Sequence, residues 1–330
     1  MAQKSKNNNK AVYYAKILIA FSLGLLIYGF ILDINNDIRL IDPEYGVKPV
    51  SNNEENYVSI DKTNSGENGG RGDTNNVTPP NSQNNPNVSQ NPDISQTHVS
   101  DNPDVGTLRE SIESKYGISI KYGSETDGYS VGGLSTYPVT DQKAISSVLV
   151  SLDNILGLYP NGLFREINNG GIPLTIYLVN NYSEQSVTGA TDSNYSFANI
   201  SIAVIYPVDE TFYHESYHYI ERYILKKGLS YNESVWNSYN PSGFAYGNPI
   251  NEYSYKSTFS ANSYFVNNYA QTAAEEDRAS TFEYMMASSK ASCLNNGMPV
   301  WKKATVMSLT IDSALDSVSP NNTEYWERFL

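Results

Sequence analysis

Residues 198–218 read ANISIAVIYPVDETFYHESYH, and this stretch decides the fold of the chain. Its first part, 198–206, is rich in β-branched residues, a composition typical of a strand. A helix is predicted over 209–227, because Asp209 is a favourable N-cap, two lysines complement the dipole in the last turn, and Gly228 is a common stop. The sequence therefore predicts a strand that leads directly into a capped helix.

Two of the three histidines of the chain lie four residues apart on this predicted helix. His214 and His218 therefore point from one face, where both imidazoles can bind a single metal ion. Glu215 follows His214, and its carboxylate can reach a water molecule on that ion, which is the HExxH arrangement of zinc hydrolases. Glu221 shares the histidine face and is predicted either to orient a ligand or to be a solvated acid. The alternative for the histidines is a solvated face or a capping role, but their spacing favours the metal.

The third metal ligand must come from elsewhere, because a catalytic zinc ion keeps three protein ligands and one open position for water. Ile224 occupies the position at which a longer motif has a third histidine, and His98 lies in a polar Asn-rich segment. A carboxylate from a downstream helix is therefore expected. The best candidates are Glu275 and Glu276 in AQTAAEEDRASTFEYMM, and Glu283 is a weaker one.

The motif HESYH and the later segment YAQTAAEEDRA, 269–279, together resemble the gluzincin (HExxH…E) zinc metallopeptidases. The resemblance is to the branch of anthrax lethal factor and clostridial Pro-Pro endopeptidase, in which a tyrosine lies seven residues before a ligand glutamate that is followed by x-x-Ala. Matched residue by residue, it implies three zinc ligands, a general base and a stabiliser of the transition state. These are His214, His218 and Glu276 as ligands, Glu215 as the base and Tyr269 as the stabiliser.

The resemblance extends over about residues 195–290 and implies a zincin-like α+β fold. In such a fold a small mixed sheet packs on the active-site helix, and a helical subdomain follows toward the C-terminus. The strand before the helix, 198–206, is then expected at the edge of the sheet, where it pairs with an extended peptide.

The chain departs from that branch at two positions and in a longer, Tyr-rich interval between His218 and Glu276. Two assignments keep alternatives, and Glu275 is the alternative to Glu276 as the ligand. Tyr217 replaces the small residue before the second histidine, and Ser280 replaces the usual acid after x-x-Ala. Tyr264 and Tyr255 are alternatives to Tyr269 as the residue that stabilises the transition state.

Residues 106–330 have the apolar density of a folded domain, and a few strands followed by packed helices indicate an α+β fold. Further strands are predicted at 118–122 and 172–179. Further helices are predicted at 107–115, at 141–156 with Asp141 as N-cap, at 272–290 and at 300–317, with a short one at the C-terminus.

The N-terminal part carries a membrane signal and a polar linker. Residues 1–16 form a basic tail, and the apolar run that follows predicts a transmembrane or signal-anchor helix over 17–34. The positive-inside rule places the N-terminus in the cytoplasm and the C-terminal domain outside. The alternatives are a cleaved signal peptide, which would secrete the domain, and a buried core helix. Residues 35–105, rich in Asn, Ser and Pro, are predicted to be a disordered linker.

Composition excludes several classes of protein. The 330 residues include 22 Lys and Arg against 35 Asp and Glu, for a net charge of −13, so nucleic acid is not an expected partner. A single cysteine, Cys293, excludes an internal disulfide framework and a thiolate zinc cluster. Histidines and carboxylates are left as the metal ligands.

These observations predict a membrane-anchored, extracytoplasmic zinc endopeptidase with one Zn²⁺ per chain. Zinc would activate water and polarise a peptide carbonyl, Glu215 would accept the proton of that water, and Tyr269 would stabilise the oxyanion. The expected partners are a peptide or protein substrate and the cell membrane. Two other classes stay open: a surface-displayed binding protein with a structural or vestigial zinc site, and a zinc hydrolase of a non-peptide cell-wall amide.

Overall fold

The structure, a computed structural model, describes residues 57–62, 104–250, 253–254, 263–291, 294, 297–318 and 323–330. Within these ranges the chain has a mixed α/β structure of seven helices and a curled mixed sheet. The predicted membrane segment at 17–34 and most of the predicted linker lie outside the described residues. In the described part of the chain, no helix has the length and hydropathy needed to cross a membrane.

The described residues form seven strands: β1 (Tyr57–Lys62), β2 (Ser119–Tyr122), β3 (Ser130–Val131), β4 (Leu134–Pro138), β5 (Leu174–Tyr182), β6 (Val187–Ser193) and β7 (Ala198–Ala203). Their order across the sheet is β1-β6-β7-β5-β4-β3, and β2 pairs with β5 on the same side as β4. β5 runs parallel to β2 and β7, and the other pairs are antiparallel. The predicted mixed sheet is therefore present, and both further strands predicted in the domain belong to it.

Strand β7, ANISIA, is an inner strand, so the expectation of an edge strand at 198–206 is wrong. It pairs in parallel with β5 and antiparallel with β6, and nearly all of its residues are buried. A dense run of apolar residues is what a strand covered on both faces requires. The next strand outward, β6, reads VTGATDS and has no hydrophobic alternation from which it could be predicted.

Strand β1 lies beyond β6, at the end of the described sheet. Its sequence, YVSIDK, falls within 35–105, so the prediction of a disordered linker is wrong for 57–62. The segment has too few apolar residues to signal a core strand, and antiparallel pairing with β6 along its length holds it in place. The remainder of the predicted linker before residue 104 lies outside the described residues.

The described residues form seven helices: α1 (Val105–Tyr116), α2 (Gln142–Leu156), α3 (Leu163–Asn169), α4 (Val208–Lys226), α5 (Glu233–Ser238), α6 (Ala274–Met286) and α7 (Pro299–Ala314). Short helices α3 and α5 were not predicted. Asp141 caps α2 as predicted, because its carboxylate accepts hydrogen bonds from two backbone N–H groups of the first turn. Pro207 holds the N-cap position of α4, so the prediction of Asp209 as the cap is wrong. Asp209 lies in the first turn, where its charge still complements the helix dipole.

Helix α4 lies in the interior of the domain, although its sequence is rich in polar residues. It packs against α6, α2 and α7 and against strands β6 and β7. Phe212 and Tyr217 join the main core, while His214, Glu215 and His218 on the same helix are also buried. Removing polar groups from water is costly unless each one has a partner. The partners of these three buried side chains therefore indicate what this part of the helix can bind.

A smaller apolar cluster covers the other face of the sheet. Ile60 of β1 packs against this cluster, close to the β3–β4 hairpin. Gly132 lies in the turn of that hairpin, and a Cβ atom there would be 2.7 Å from Cδ1 of Ile60 and 3.0 Å from Cγ1 of Val58. The hairpin therefore curls over β1 and contacts the strand on the side away from α4.

Gly189 of β6 lies where the sheet approaches α4 most closely. A Cβ atom at this position would be 2.4 Å from Cγ2 of Thr211 and 3.1 Å from Cγ of Glu215. We expect Gly189→Ala to lower the free energy of unfolding by about 1–3 kcal/mol, because strand and helix must separate. Urea denaturation followed by circular dichroism measures this change. Gly106→Ala in α1 is the control and should not destabilise, since alanine is favoured in a helix; equal losses would contradict the close packing.

Candidate metal centre

Three buried side chains from two helices converge on one point. The Nε2 atom of His214 lies 3.0 Å from Oε2 of Glu276 and 3.3 Å from Nε2 of His218. The remaining pair, Nε2 of His218 and Oε2 of Glu276, is 3.5 Å apart. Ligand atoms at about 2.0–2.1 Å from a tetrahedral zinc ion are about 3.3 Å from one another, so these separations fit coordination of one ion. The group could therefore hold a metal ion.

Helix packing decides which of the two neighbouring acids joins the histidines. Glu276 lies in the first turn of α6, is buried, and belongs to the ligand group. Glu275 is only half-buried and is not part of that group among the described residues. Successive residues of a helix are rotated by about 100° around its axis, which turns the two carboxylates in different directions. The structure thus brings Glu276, and not Glu275, to His214 and His218.

The charges around the histidines favour a bound cation. Burial raises the pKa of Glu276, but the charge of His218 and the hydrogen bonds from both histidines outweigh burial and hold that pKa below its ordinary value. Burial lowers the pKa of His214, yet the carboxylates of Asp61, Glu276 and Glu283 raise it well above its ordinary value. The site therefore has an excess of negative charge, which a divalent cation would neutralise.

Glu283, predicted as a weaker candidate for the third ligand, lies on the other side of His214. Its Oε2 atom is 3.7 Å from Nδ1 of His214, and its Oε1 atom accepts a hydrogen bond of 2.6 Å from Lys290. Lys290 also donates to Glu210 at 2.7 Å. This separation is too long for a hydrogen bond, and Nδ1 of His214 has no hydrogen-bond partner among the described residues. Glu283 therefore acts on His214 through its charge, and it lies at the nitrogen that faces away from His218 and Glu276.

Glu215 is fully buried beside the ligand group. Its Oε2 atom accepts a hydrogen bond of 2.7 Å from the Thr191 hydroxyl of β6, while Oε1 has no hydrogen-bond partner among the described residues. Burial raises the pKa of Glu215 well above its ordinary value, although the charge of His214 and the bond from Thr191 act in the opposite direction. An unpaired carboxylate oxygen in the interior is costly, so Oε1 is suited to accept a hydrogen bond from a ligand or a water molecule.

Tyr269 lies at the same site, in a 3₁₀ turn just before α6. Its ring centroid is 5.7 Å from that of His214, and its hydroxyl donates a hydrogen bond of 2.5 Å to the backbone carbonyl of Ile60. Burial, followed by the nearby charge of Glu276, raises the pKa of Tyr269, so the phenol keeps its proton. Of the two alternatives, Tyr264 contributes its backbone carbonyl to a hydrogen bond from Lys303, and Tyr255 lies outside the described residues.

Glu221 pairs with the helix that carries the third ligand. One of its carboxylate oxygens accepts a hydrogen bond of 2.5 Å from Nε of Arg278 in α6, and Arg278 also bonds to Glu233 of α5 at 3.1 Å. Because Arg278 lies two residues after Glu276, this ion pair fixes α6 against α4 and so positions the ligand. Glu221 is buried and paired, so the alternative of a solvated acid is wrong, and its predicted role in orienting a ligand stays a prediction.

A second buried charge pair, which the sequence did not indicate, holds the first turn of α6. Oδ2 of Asp277 accepts hydrogen bonds from Lys303 at 2.7 Å, Tyr246 at 2.8 Å and Trp236 at 2.9 Å. Asp277 follows Glu276 directly, so these bonds fix the backbone from which the ligand extends. The partners come from α5, α7 and the loop between α5 and α6, and no local spacing connects them. The contact of Thr191 with Glu215 was not predictable from the sequence either, because strand β6 lacks a recognisable hydrophobic pattern.

A cavity of about 340 Å³ opens beside Tyr269 and Glu283, two residues next to His214. Carboxylates and hydroxyls from five parts of the chain line it together with one lysine. Its lining includes Asp61, Thr188, Glu210, Tyr269, Glu283 and Lys290. The cavity therefore lies next to neighbours of His214, and it is large enough for a side chain of a bound molecule.

Comparison of the chain with protein-family models, with curated proteins and with solved structures finds no match.

The assignment of Glu276 as the third ligand can be tested by metal binding alone. We expect Glu276→Gln to weaken Zn²⁺ binding by more than the roughly 10- to 100-fold cost of removing an outer partner, because a neutral amide replaces a charged ligand. Isothermal titration of chelator-treated protein with Zn²⁺ measures the affinity. Glu275→Gln, one residue away, should leave it unchanged, and the reverse ranking would reassign the ligand.

Proposed function

We propose that this protein is a zinc-dependent endopeptidase. The observation that carries the proposal is the buried group of His214, His218 and Glu276 beside Glu215, whose free carboxylate oxygen has no partner among the described residues. Ligands, base and donor to an oxyanion are the three components that hydrolysis of an amide requires. They lie within one cluster, on elements that the main core holds rigid.

Zinc is the metal that the donor set favours. Two imidazole nitrogens and one carboxylate oxygen suit zinc, whereas calcium and magnesium prefer sites made of oxygen. Catalytic zinc has three protein ligands and an open position, while structural zinc is closed by a fourth ligand. Among the described residues the group has three members, His214, His218 and Glu276. This count favours a catalytic over a structural role.

Each neighbouring residue has a task in the proposed reaction. Zinc, when bound, supplies Lewis-acid polarisation of the substrate carbonyl and of water. Glu215 accepts a proton from the attacking water and passes it to the leaving amine, while Thr191 holds the other oxygen of the same carboxylate. Tyr269 keeps its proton and donates a hydrogen bond to the oxygen on which negative charge develops. Glu283 acts on His214 through its charge, 3.7 Å from the outer nitrogen of the ring.

A peptide is the substrate class that the sheet favours. Strand β6 lies next to α4, and its outer edge accepts an extended segment, since β1 pairs with it antiparallel. Peptides add to sheet edges through backbone hydrogen bonds, which a non-peptide cell-wall amide cannot form in the same way. A binding protein with a vestigial zinc site would leave the buried, unpaired oxygen of Glu215 without a task. Both other classes are therefore less well supported.

The proposed location is outside the cell membrane. It rests on the basic tail at 1–16 and the apolar run within 17–34, both outside the described residues. The enzyme would be held by an uncleaved N-terminal helix and would act on peptides or proteins near the membrane surface.

The role of Glu215 as general base predicts a loss of turnover without loss of metal. We expect Glu215→Gln to lower kcat/KM for a peptide substrate by about 10²- to 10⁴-fold, because the amide cannot accept the proton. Zinc content, measured by inductively coupled plasma mass spectrometry, should equal that of the wild type. Glu110→Gln on the exposed side of α1 is the control and should leave turnover unchanged. Full cleavage by Glu215→Gln would end the proposed mechanism.

Thr191 is expected to act through Glu215. Thr191→Val should lower kcat with little change in KM, because the carboxylate loses the hydroxyl that holds Oε2. Thr191→Ser keeps that hydroxyl and should retain most of the wild-type kcat. Steady-state kinetics of both variants separate positioning of Glu215 from simple loss of packing. Equal kcat in the two variants would show that the hydroxyl has no role in turnover.

A further inference from the structure

Strand β1 lies across the candidate metal centre although it comes from the N-terminal part of the chain. It pairs antiparallel with β6, with Ser59 opposite Thr191, Ile60 opposite Ala190 and Asp61 opposite Gly189. Thr191 is the residue that holds Glu215, so the segment passes directly over the proposed general base. It occupies the edge of β6 at which an extended substrate would pair.

Three consecutive residues of β1 contact the site. The Ser59 hydroxyl donates a hydrogen bond of 3.0 Å to Oε1 of the ligand Glu276. The Ile60 carbonyl accepts one of 2.5 Å from the Tyr269 hydroxyl. Oδ2 of Asp61 accepts one of 3.0 Å from Thr188, and Asp61 lines the cavity beside the metal group.

The contact of Tyr269 shows which backbone group of β1 occupies the place of a substrate group. If Tyr269 donates to the oxyanion during hydrolysis, a group that accepts this hydrogen bond in its place blocks that donor. The Ile60 carbonyl accepts the bond, so β1 takes up the donor that a substrate would need. The side chain of Asp61, the next residue, lines the cavity.

We propose that residues 57–62 are an internal occupant of the peptide-binding edge, paired along β6 as an extended peptide would be and excluding other peptides until they are displaced. The proposal rests on the proposed function, and it also defines the substrate class as an extended peptide that runs antiparallel to β6. Displacement of β1 would expose the edge of β6, the cavity and Tyr269 together.

The contacts of β1 are those of a ligand more than those of a core strand. Val58 is 40% exposed, and Ile60 is only half-buried against the smaller cluster. Ser59, by contrast, is 1% exposed, because it faces Glu276. A strand retained for core packing would place its larger apolar residues inside, whereas β1 places polar groups against the metal centre.

Attachment to the same chain favours occupancy of the edge. A tethered segment has an effective concentration in the millimolar range, so a segment with an intrinsic dissociation constant near 0.1 mM would fill the site about nine-tenths of the time. Release of the segment should then raise the rate of peptide cleavage by about tenfold. Weak intrinsic binding is sufficient for this effect.

The test uses the full chain with the double substitution Ser59→Pro/Ile60→Pro. In an antiparallel pair, neighbouring residues point their N–H groups to opposite sides, so one of the two prolines removes a bond to β6. The control is Val58→Thr, which keeps the backbone pairing. A milder variant, Ser59→Ala/Asp61→Ala, removes the side-chain bonds to Glu276 and Thr188 and should act in the same direction. Circular dichroism and zinc content verify that each variant is folded and metal-loaded.

Two readouts are measured on each form. The first is the cleavage rate of a peptide library, which should rise about tenfold in the proline variant relative to the wild type and Val58→Thr. The second is fluorescence anisotropy of a labelled YVSIDK peptide, recorded in the Glu215→Gln background so that the peptide is not cleaved. The proline variant should bind this peptide at least about tenfold more tightly than the wild type, whose edge is occupied.

The outcomes separate this inference from the proposed function. Cleavage that depends on Glu215 but is equal in the wild type and the proline variant, with no added peptide binding, overturns internal occupancy and leaves the protease proposal intact. If no form cleaves any peptide, the protease proposal fails. The anisotropy of the labelled YVSIDK peptide then still shows whether β6 can exchange β1 for a free peptide. If the proline variant is folded and does not bind the peptide, internal occupancy by residues 57–62 is overturned.

Discussion

The packing of α4 against α6 is the constraint on which the rest of the structure depends. It places the Glu276 carboxylate within 3.0–3.5 Å of two imidazole nitrogens in the interior of the domain. Charges in such a place are stable only with close partners. Two further buried ion pairs, Arg278 with Glu221 and Lys303 with Asp277, hold α6 in this position. Arg278 and Asp277 both lie within two residues of Glu276. The ion pairs that stabilise α6 therefore also set the geometry of the candidate metal centre.

The sheet contributes the second half of the site. Gly189 lets β6 approach α4, and Thr191 on the same strand holds one oxygen of Glu215. The strand that holds the proposed general base is therefore also the strand with which β1 pairs. Binding at this edge and chemistry at the metal are coupled through two residues of β6, which explains why a peptide seated there would have its backbone beside the reacting groups.

Occupancy of that edge would give the N-terminal part of the chain a role beyond that of the predicted linker. An uncovered edge strand is a template for unwanted pairing with other chains, and β1 covers β6. The same cover places Ser59 and the Ile60 carbonyl on a metal ligand and on Tyr269. Protection of the edge and occlusion of the site are thus two consequences of one pairing, and the metal centre would become available only when the segment leaves.

Local sequence determined the parts of this protein that depend on neighbours a few residues away. The four-residue spacing of His214 and His218 and the adjacent Glu215 follow from the period of α4, and the cap at Asp141 follows from the residue type at the start of α2. Tertiary structure decided the parts that depend on distant contacts. It selected Glu276 over Glu275 and turned Glu283 to the outer nitrogen of His214. It also placed β6 and β1 outside β7, because β6 has no hydrophobic alternation and β1 pairs with it from a distant part of the sequence.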